Sequence, residues 1–290
     1  MSSILQLKND MRVPIALYAV LCTCLTIGLA GQDQPSFCRP AARPVFLNDV
    51  REVSGVAVGR AAPGTLWTIN DSGEPLLYKV GVSGQATRVR VAGGTVRDWE
   101  DLALAKCQTG ECLYIGDIGD NRGSRKQITI YRVPEPADGA TATKAAELFH
   151  ATYADGPHDA EAFLIIEGQL LVITKEMPSR IYRSASPLKP GATTTLEFVR
   201  ALGERIRVTG AALSGDGRWV ALRSNTMMML FRLEDFMKGG NPVKIDLRAL
   251  KEPQGEGVAF GSAGDVYLVS EGGDDTVAGM VTRLHCALPK

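Results

Sequence analysis

The sequence predicts an all-β protein folded as a β-propeller, from three observations. A unit of short apolar runs recurs five times, turn residues separate the runs, and a spare strand-like segment stands ahead of the first copy. The first run of each copy is "SGVAV" (54–58), "EDLAL" (100–104), "EAFLI" (161–165), "TGAAL" (209–213) and "EGVAF" (256–260). The second runs are "LWTIND", "LYIGDIGDN", "LLVITKE", "WVALRSN" and "VYLVSE"; the third are "LLYKV", "ITIYRV", "RIYRS", "MLFRL" and "MVTRL". Runs rich in Val, Ile, Leu, Tyr and Thr between turn residues read as strands. Weaker fourth runs, "ATRVRV", "LFHATY", "LEFVR" and "VKIDLRA", follow the first four copies.

Copies start 46, 61, 48 and 47 residues apart, the long interval holding the insertion "PEPADGATATK". Four strands per unit at this period match a propeller blade, with a solenoid or stacked sandwiches as the competing arrangements. The fourth strands decide between them. The fifth copy has none, because the chain ends, whereas "RPVFL" (43–47) precedes the first copy and can serve as that missing outer strand. The expectation is therefore five blades, with the N-terminal segment closing the last.

That closure also chooses a cysteine pairing. Beyond residue 30 the chain has Cys38, Cys107, Cys112 and Cys286, an even number that in an exported chain reads as disulfides. The third strand of the last blade would run antiparallel to the N-terminal segment and bring Cys286 to Cys38. Cys107 and Cys112 would then pair across a hairpin. A bridge enclosing nearly the whole chain is worth about 4–5 kcal/mol in the loop-entropy account.

The N-terminus reads as an export signal over 1–30. Lys8 and Arg12 precede the uncharged run "VPIALYAVLCTCLTIGLA", and Gly28 and Ala30 suit a signal-peptidase site. A retained anchor is the alternative, since the run approaches the length that spans a bilayer. A lead follows at 31–42, then a single propeller domain at 43–290, secreted or periplasmic. With 32 basic and 32 acidic residues, the chain has no net charge to grip nucleic acid or an anionic membrane. A monomer free of the membrane after cleavage is expected.

Local charge is more informative. In a propeller the loop before a blade's first strand and the loop after its second open on the same face. Asp98, Glu100 and Asp101 precede a first strand; Asp117, Asp120 and Asn121 follow a second. Asp159 and Glu161, and Glu256, precede first strands in other copies, while Asp71, Lys175 with Glu176, Arg223 and Glu271 follow second strands. Glu100, Glu161 and Glu256 are thus expected to converge at one mouth, where like charges need neutralising. Oxygen donors on loops suit calcium first, then magnesium or manganese, with Asp98, Glu100, Asp159, Glu161 and Glu256 as ligands. Lys175 and Arg223 could instead neutralise the acids, or the acids could cap turns. His158, beside Asp159 in "DGPHDAEA", is the only histidine placed at this mouth and a candidate general base. No P-loop, GxSxG elbow, HExxH or EF-hand spacing is present.

Together, "INDSGEPLLYKV", "DWEDLA", "LYIGDIGDNR", "DGPHDAEA" and "QGEGVA" resemble a group of secreted bacterial propellers, related in style to phytase-like esterases and more distantly to gluconolactonases and paraoxonases. In those enzymes the resemblance implies an axial calcium and hydrolysis of a lactone or ester, with Glu100, Glu161 and Glu256 at the matching first-strand starts. It also implies six blades, so a six-bladed ring is the alternative. Two functions remain open at this point. One is a metal-dependent hydrolase of an ester, lactone or phosphoester. The other is a non-catalytic propeller whose acidic mouth binds a small molecule or a protein partner.

Overall fold

The computed structural model describes residues 37–289 apart from 62, 63, 82, 274 and 275, so the expected signal segment and the start of the lead lie outside the described residues. Among the described residues twenty-one strands form five units of four strands each, except that two short N-terminal strands share the outer position of the fifth. Their first strands are Val53–Val58, Trp99–Cys107, Ala160–Ile166, Gly210–Leu213 and Gln254–Phe260. Each first strand lies against the first strands of the units before and after it, and the fifth lies against the first. The protein is a β-propeller, and no sixth unit occurs among the described residues.

The near-continuous apolar runs follow from this packing, because a blade is covered on both faces. Along Gln169–Thr174, Leu170 and Val172 pack toward unit two, while Leu171 and Ile173 pack toward unit four. Along Gly110–Asp117, Leu113 and Ile115 face unit one, and Cys112 and Tyr114 face unit three. Alternation of side chains between two apolar gaps leaves no polar register. Five apolar clusters fill the gaps between neighbouring units. At the axis the packing is tight enough to require glycine. A Cβ on Gly257 of unit five would stand 2.6 Å from the Ser54 carbonyl oxygen of unit one.

The ring closes as the repeat arithmetic requires. Val45–Leu47 pairs antiparallel with Gly279–Cys286, and Cys38–Pro40 extends the same edge, placing Cys38 opposite Cys286. Both expected disulfides form, Cys38–Cys286 across 248 residues of sequence and Cys107–Cys112 within one hairpin. The disulfides indicate an oxidising environment.

Three features were not expected. The outer strands of units two and three, Glu147–Tyr153 and Thr193–Ala201, pair in parallel and join two blades into one eight-stranded sheet. The 61-residue interval lays its insertion on unit one: Arg90 N–H donates to Thr141 O at 2.9 Å and Thr143 N–H to Arg90 O at 2.8 Å. Both arrangements cover sheet edges that would otherwise present unpaired backbone groups. A short helix, Leu233–Lys238, precedes the outer strand of unit four and buries Phe236 against Phe231.

Replacing Cys38 and Cys286 together by Ser is expected to cost about 2–5 kcal/mol, more than the same change at Cys107 and Cys112, because the enclosed loop is far longer. Thermal unfolding followed by circular dichroism should show the first variant melting roughly 5–15 °C below the parent. An equal or larger loss in the hairpin variant would contradict the closure account.

Candidate functional site

The acidic residues reach one mouth, but from within strands rather than from loops. Glu100 and Asp101 belong to Trp99–Cys107, Asp117 ends Gly110–Asp117, and Glu256 lies in Gln254–Phe260. The reason is a bulge at the same place in four first strands. In unit two Trp99 pairs with Asp117 and Asp101 with Gly116, leaving Glu100 out of register. Ala160 and Ala162 likewise bracket Glu161, and Gly255 and Val258 bracket Glu256 with Gly257. In unit one Val53 and Val56 bracket Ser54 and Gly55. A bulge adds one unpaired residue and re-aims its side chain. Glu100, Glu161 and Glu256 therefore occupy equivalent positions in three blades, and all three are buried.

Asp101, one residue on, has a different task. Its fully buried carboxylate accepts backbone N–H bonds from Leu102 at 2.9 Å, Phe163 at 3.1 Å and Ala211 at 3.3 Å. It thus ties the first strands of units two, three and four. Burial still pushes its carboxyl well above the ordinary range, with the three amides opposing that shift.

Several predicted site residues are committed elsewhere. Asp117 pairs with Arg125 at 2.7 Å, and the same guanidinium donates to Gly119 O at 2.8 Å and Asp117 O at 2.9 Å. Asp120 accepts from the amides of Ser124 at 3.0 Å and Arg125 at 2.7 Å, while Asn121 is exposed. The loop "GDIGDNRGSR" is thus organised around Arg125. Asp159 accepts the Asp120 N–H at 2.8 Å. Arg223, fully buried, pairs with Glu252 and donates to Gly257 O at 3.0 Å and Val269 O at 2.7 Å. Neither Arg125 nor Glu252 stood out in the sequence, because each lies outside the strand-end positions that flagged the mouth.

His158 is also occupied at both ring nitrogens. Nδ1 meets Glu176 Oε1 at 2.6 Å, and Nε2 meets Tyr182 Oη at 2.7 Å and Asp155 Oδ1 at 3.0 Å. Tyr153 packs edge-on against the imidazole, and Arg180 reaches Glu176 at 3.0 Å. The histidine and Glu176 form a polar cluster of unit three with these residues.

What remains at the mouth is strongly acidic. Lys175 pairs with Glu161. Asp98 and Glu100 lie against each other over Gly119, where a Cβ would stand 2.5 Å from the Asp98 carboxyl. Burial, then the Asp98 charge, pushes Glu100 well above the usual range, with Lys175 opposing and Glu256 and Asp71 adding. Burial also raises Glu256 to about 7, against the pull of Gln254, Arg223 and Lys175. Glu271 rises to about 8 through burial and then Glu256; Asp71 rises to about 6 through burial and then Glu52. Asn70 Oδ1 and Asp71 Oδ1 are buried without a hydrogen-bond partner. Among the described residues, no three His, Cys, Asp or Glu side chains are gathered closely enough to hold a metal ion as they stand.

No protein-family model matches the chain, and no curated protein matches its sequence. Solved structures do. The PQQ-bound aldose sugar dehydrogenase of Streptomyces coelicolor aligns over 86% of this chain and 97% of its own, with a TM-score of 0.53 at 10% identity. A glucose dehydrogenase aligns over 85% of this chain and 100% of its own, with a TM-score of 0.50 and 10% identity. A gluconolactonase of Xanthomonas campestris reaches 17% identity over 85% of this chain and 95% of its own, with a TM-score of 0.43. At these identities the likeness to the two dehydrogenases is one of fold.

Asp101→Asn supplies one acceptor where the carboxylate serves three amides, and points an amide N–H at one of them. An unsatisfied buried donor costs about 1–3 kcal/mol, so the variant should unfold at lower denaturant with an unchanged slope. An unshifted midpoint would contradict the tying role of Asp101.

Proposed function

We propose that the acidic mouth is a divalent-cation site, calcium before magnesium or manganese, and that the cation organises it to receive a small oxygen-bearing ligand. One observation carries this reading: buried glutamates project from equivalent bulges of three blades, and Lys175 pairs with one of them. The donor chemistry fits. It is oxygen only, it includes the unsatisfied Asn70 and Asp71 oxygens, and burial holds several carboxyls toward the neutral form. Asp98, Glu100, Glu256 and Asn70 with Asp71 would hold the ion, and Glu161 would join once Lys175 leaves it. Bound there, a hard cation would polarise a carbonyl or phosphoryl oxygen of an ester, lactone or phosphoester.

The chain's own residues support binding more than turnover. His158 spends both ring nitrogens on Glu176, Tyr182 and Asp155, so no proton transfer is assigned to it. Lys175 holds Glu161 until a cation replaces it, and Arg223, locked on Glu252 and two carbonyls, fixes the wall beside Glu256. The non-catalytic reading of a small-molecule-binding propeller is therefore the one put forward. The two disulfides and the N-terminal segment support a secreted or periplasmic location.

Thermal unfolding with EDTA, then with added calcium, tests it. A site at a hundredfold excess over its dissociation constant adds about 2.7 kcal/mol, roughly 5–10 °C for this size. The sign with pH follows from the raised carboxyls. Glu256 binds its proton more tightly folded than unfolded, so between pH 4.5 and about 7 its ionisation destabilises the metal-free fold increasingly. A cation removes that penalty, so the calcium shift should be larger at pH 8 than at pH 5 and fall in Glu256→Gln. No shift with any of the three cations at pH 8, in folded protein stripped of metal, would overturn the proposal.

A further inference from the structure

In a strand the side chains stand on the two faces and the main-chain N–H and C=O groups on the two edges. Each first strand lies at the end of its sheet, so only one of its edges is paired. Its side chains fill the gaps to the neighbouring units: along Trp99–Cys107, Leu102 and Leu104 pack toward unit one, Ala103 and Ala105 toward unit three. What a first strand turns to the axis is therefore its unpaired edge of main-chain groups.

The hydrogen bonds show which residues carry that edge. In an antiparallel pair, residues alternate between bonding the partner strand and facing away from it. The Leu102, Phe163 and Ala211 amides reach Asp101, so they face the axis, and two residues on so do Leu104, Ile165 and Leu213. In units one and five, Gly59 N–H donates to Thr65 O and Gly261 N–H to Asp265 O, both at 2.8 Å, toward the second strand. Val58 and Phe260, one residue back, therefore turn their N–H and C=O groups to the axis. These five are the last residues of the repeated first runs, one per blade, so they stand at equivalent depth. All five line a cavity of about 700 Å³ on the side of the short hairpins, within the roughly 300–1,000 Å³ typical of small-molecule sites. Among the described residues, no turn, loop or side-chain hydrogen bond reaches their axial groups.

The ring thus offers amide donors and carbonyl acceptors together, on strands that cannot move independently. Such groups need a partner from solvent or from a ligand. A carboxylate supplies acceptors only and an ammonium donors only, so either would leave half of the ring unmatched; a hydroxyl does both from one atom. The rim adds no bias toward an ion. Arg60 pairs with Glu111 at 2.8 Å, and Lys106 and Glu167, both exposed, are of opposite sign.

We propose that the hairpin-side channel is a second binding site, for a small neutral polyhydroxy molecule held by the main chain of all five blades. The site is independent of the acidic mouth and of any cation there.

Saturation-transfer difference NMR on the intact protein in EDTA tests this, with myo-inositol and trehalose as probes. Saturable binding of at least one of them at millimolar concentration is expected, and none of succinate, which at neutral pH offers acceptors only. Main-chain groups cannot be removed by substitution, so the channel is blocked instead. Ser262→Cys, at the exposed rim, should bind as the parent does and lose about tenfold or more in affinity once its thiol carries a bulky maleimide. The same label on Phe46→Cys, on the outermost strand of unit five, should change nothing. Should the labelled Ser262→Cys protein prove unfolded by circular dichroism, Lys106→Trp on another rim hairpin gives the comparison. No saturable binding of either probe, equal binding of succinate, unchanged affinity in the blocked folded protein, or an equal loss from the label at position 46 would each overturn the proposal.

Discussion

The ring depends on how five first strands are held together where they do not pair as a sheet. Side-chain packing alone leaves such a ring free to slide, and a few buried polar bonds remove that freedom. Ser54 of unit one donates to the Glu100 carbonyl of unit two. Asp101 of unit two then takes amides from units three and four, and Thr209 of unit four donates to Gly255 O of unit five at 2.8 Å. The absent side chain of Gly257 lets unit five press against Ser54 and complete the circuit. Buried polar groups of this kind are costly unless every partner is present, so they specify one register among the blades. The bulges that free these backbone groups are the same ones that turn Glu100, Glu161 and Glu256 into the mouth. Structure and site thus share one device.

Much of the architecture was legible because it rests on local signals. Strand runs such as "LLVIT" and "WVALR" are apolar at consecutive positions, which only a blade covered on both faces requires. The missing fourth strand and the spare N-terminal one fixed the closure, and the closure fixed the disulfides. The equivalent placement of the three glutamates was legible for the same reason, since repeats place equivalent residues equivalently. The bulge that frees them from the ladder was not, because a one-residue register shift leaves no mark in composition.

Partners drawn from distant sequence were equally hidden. Arg125 lies in a loop whose glycines and acids suggested a ligand, yet its guanidinium gathers Asp117 and two carbonyls into a closed turn. Glu252, four residues ahead of Glu256, neutralises Arg223 rather than facing the mouth. His158 looked available beside Asp159 but turns instead to Glu176, Tyr182 and Asp155. In each case charge counting by position found the neighbourhood, and tertiary pairing decided the partner.

One mouth of the ring is crowded with carboxylates, and Asp101 lies buried beneath it among the first strands. The proposed cation would offset the excess of acids there. Equilibrium dialysis of metal-stripped protein against radioactive calcium at pH 8 measures this directly. The account predicts one ion bound per chain, with binding lost in the Glu100→Gln, Glu256→Gln double variant. No bound calcium at millimolar free concentration, in protein that remains folded, would contradict it.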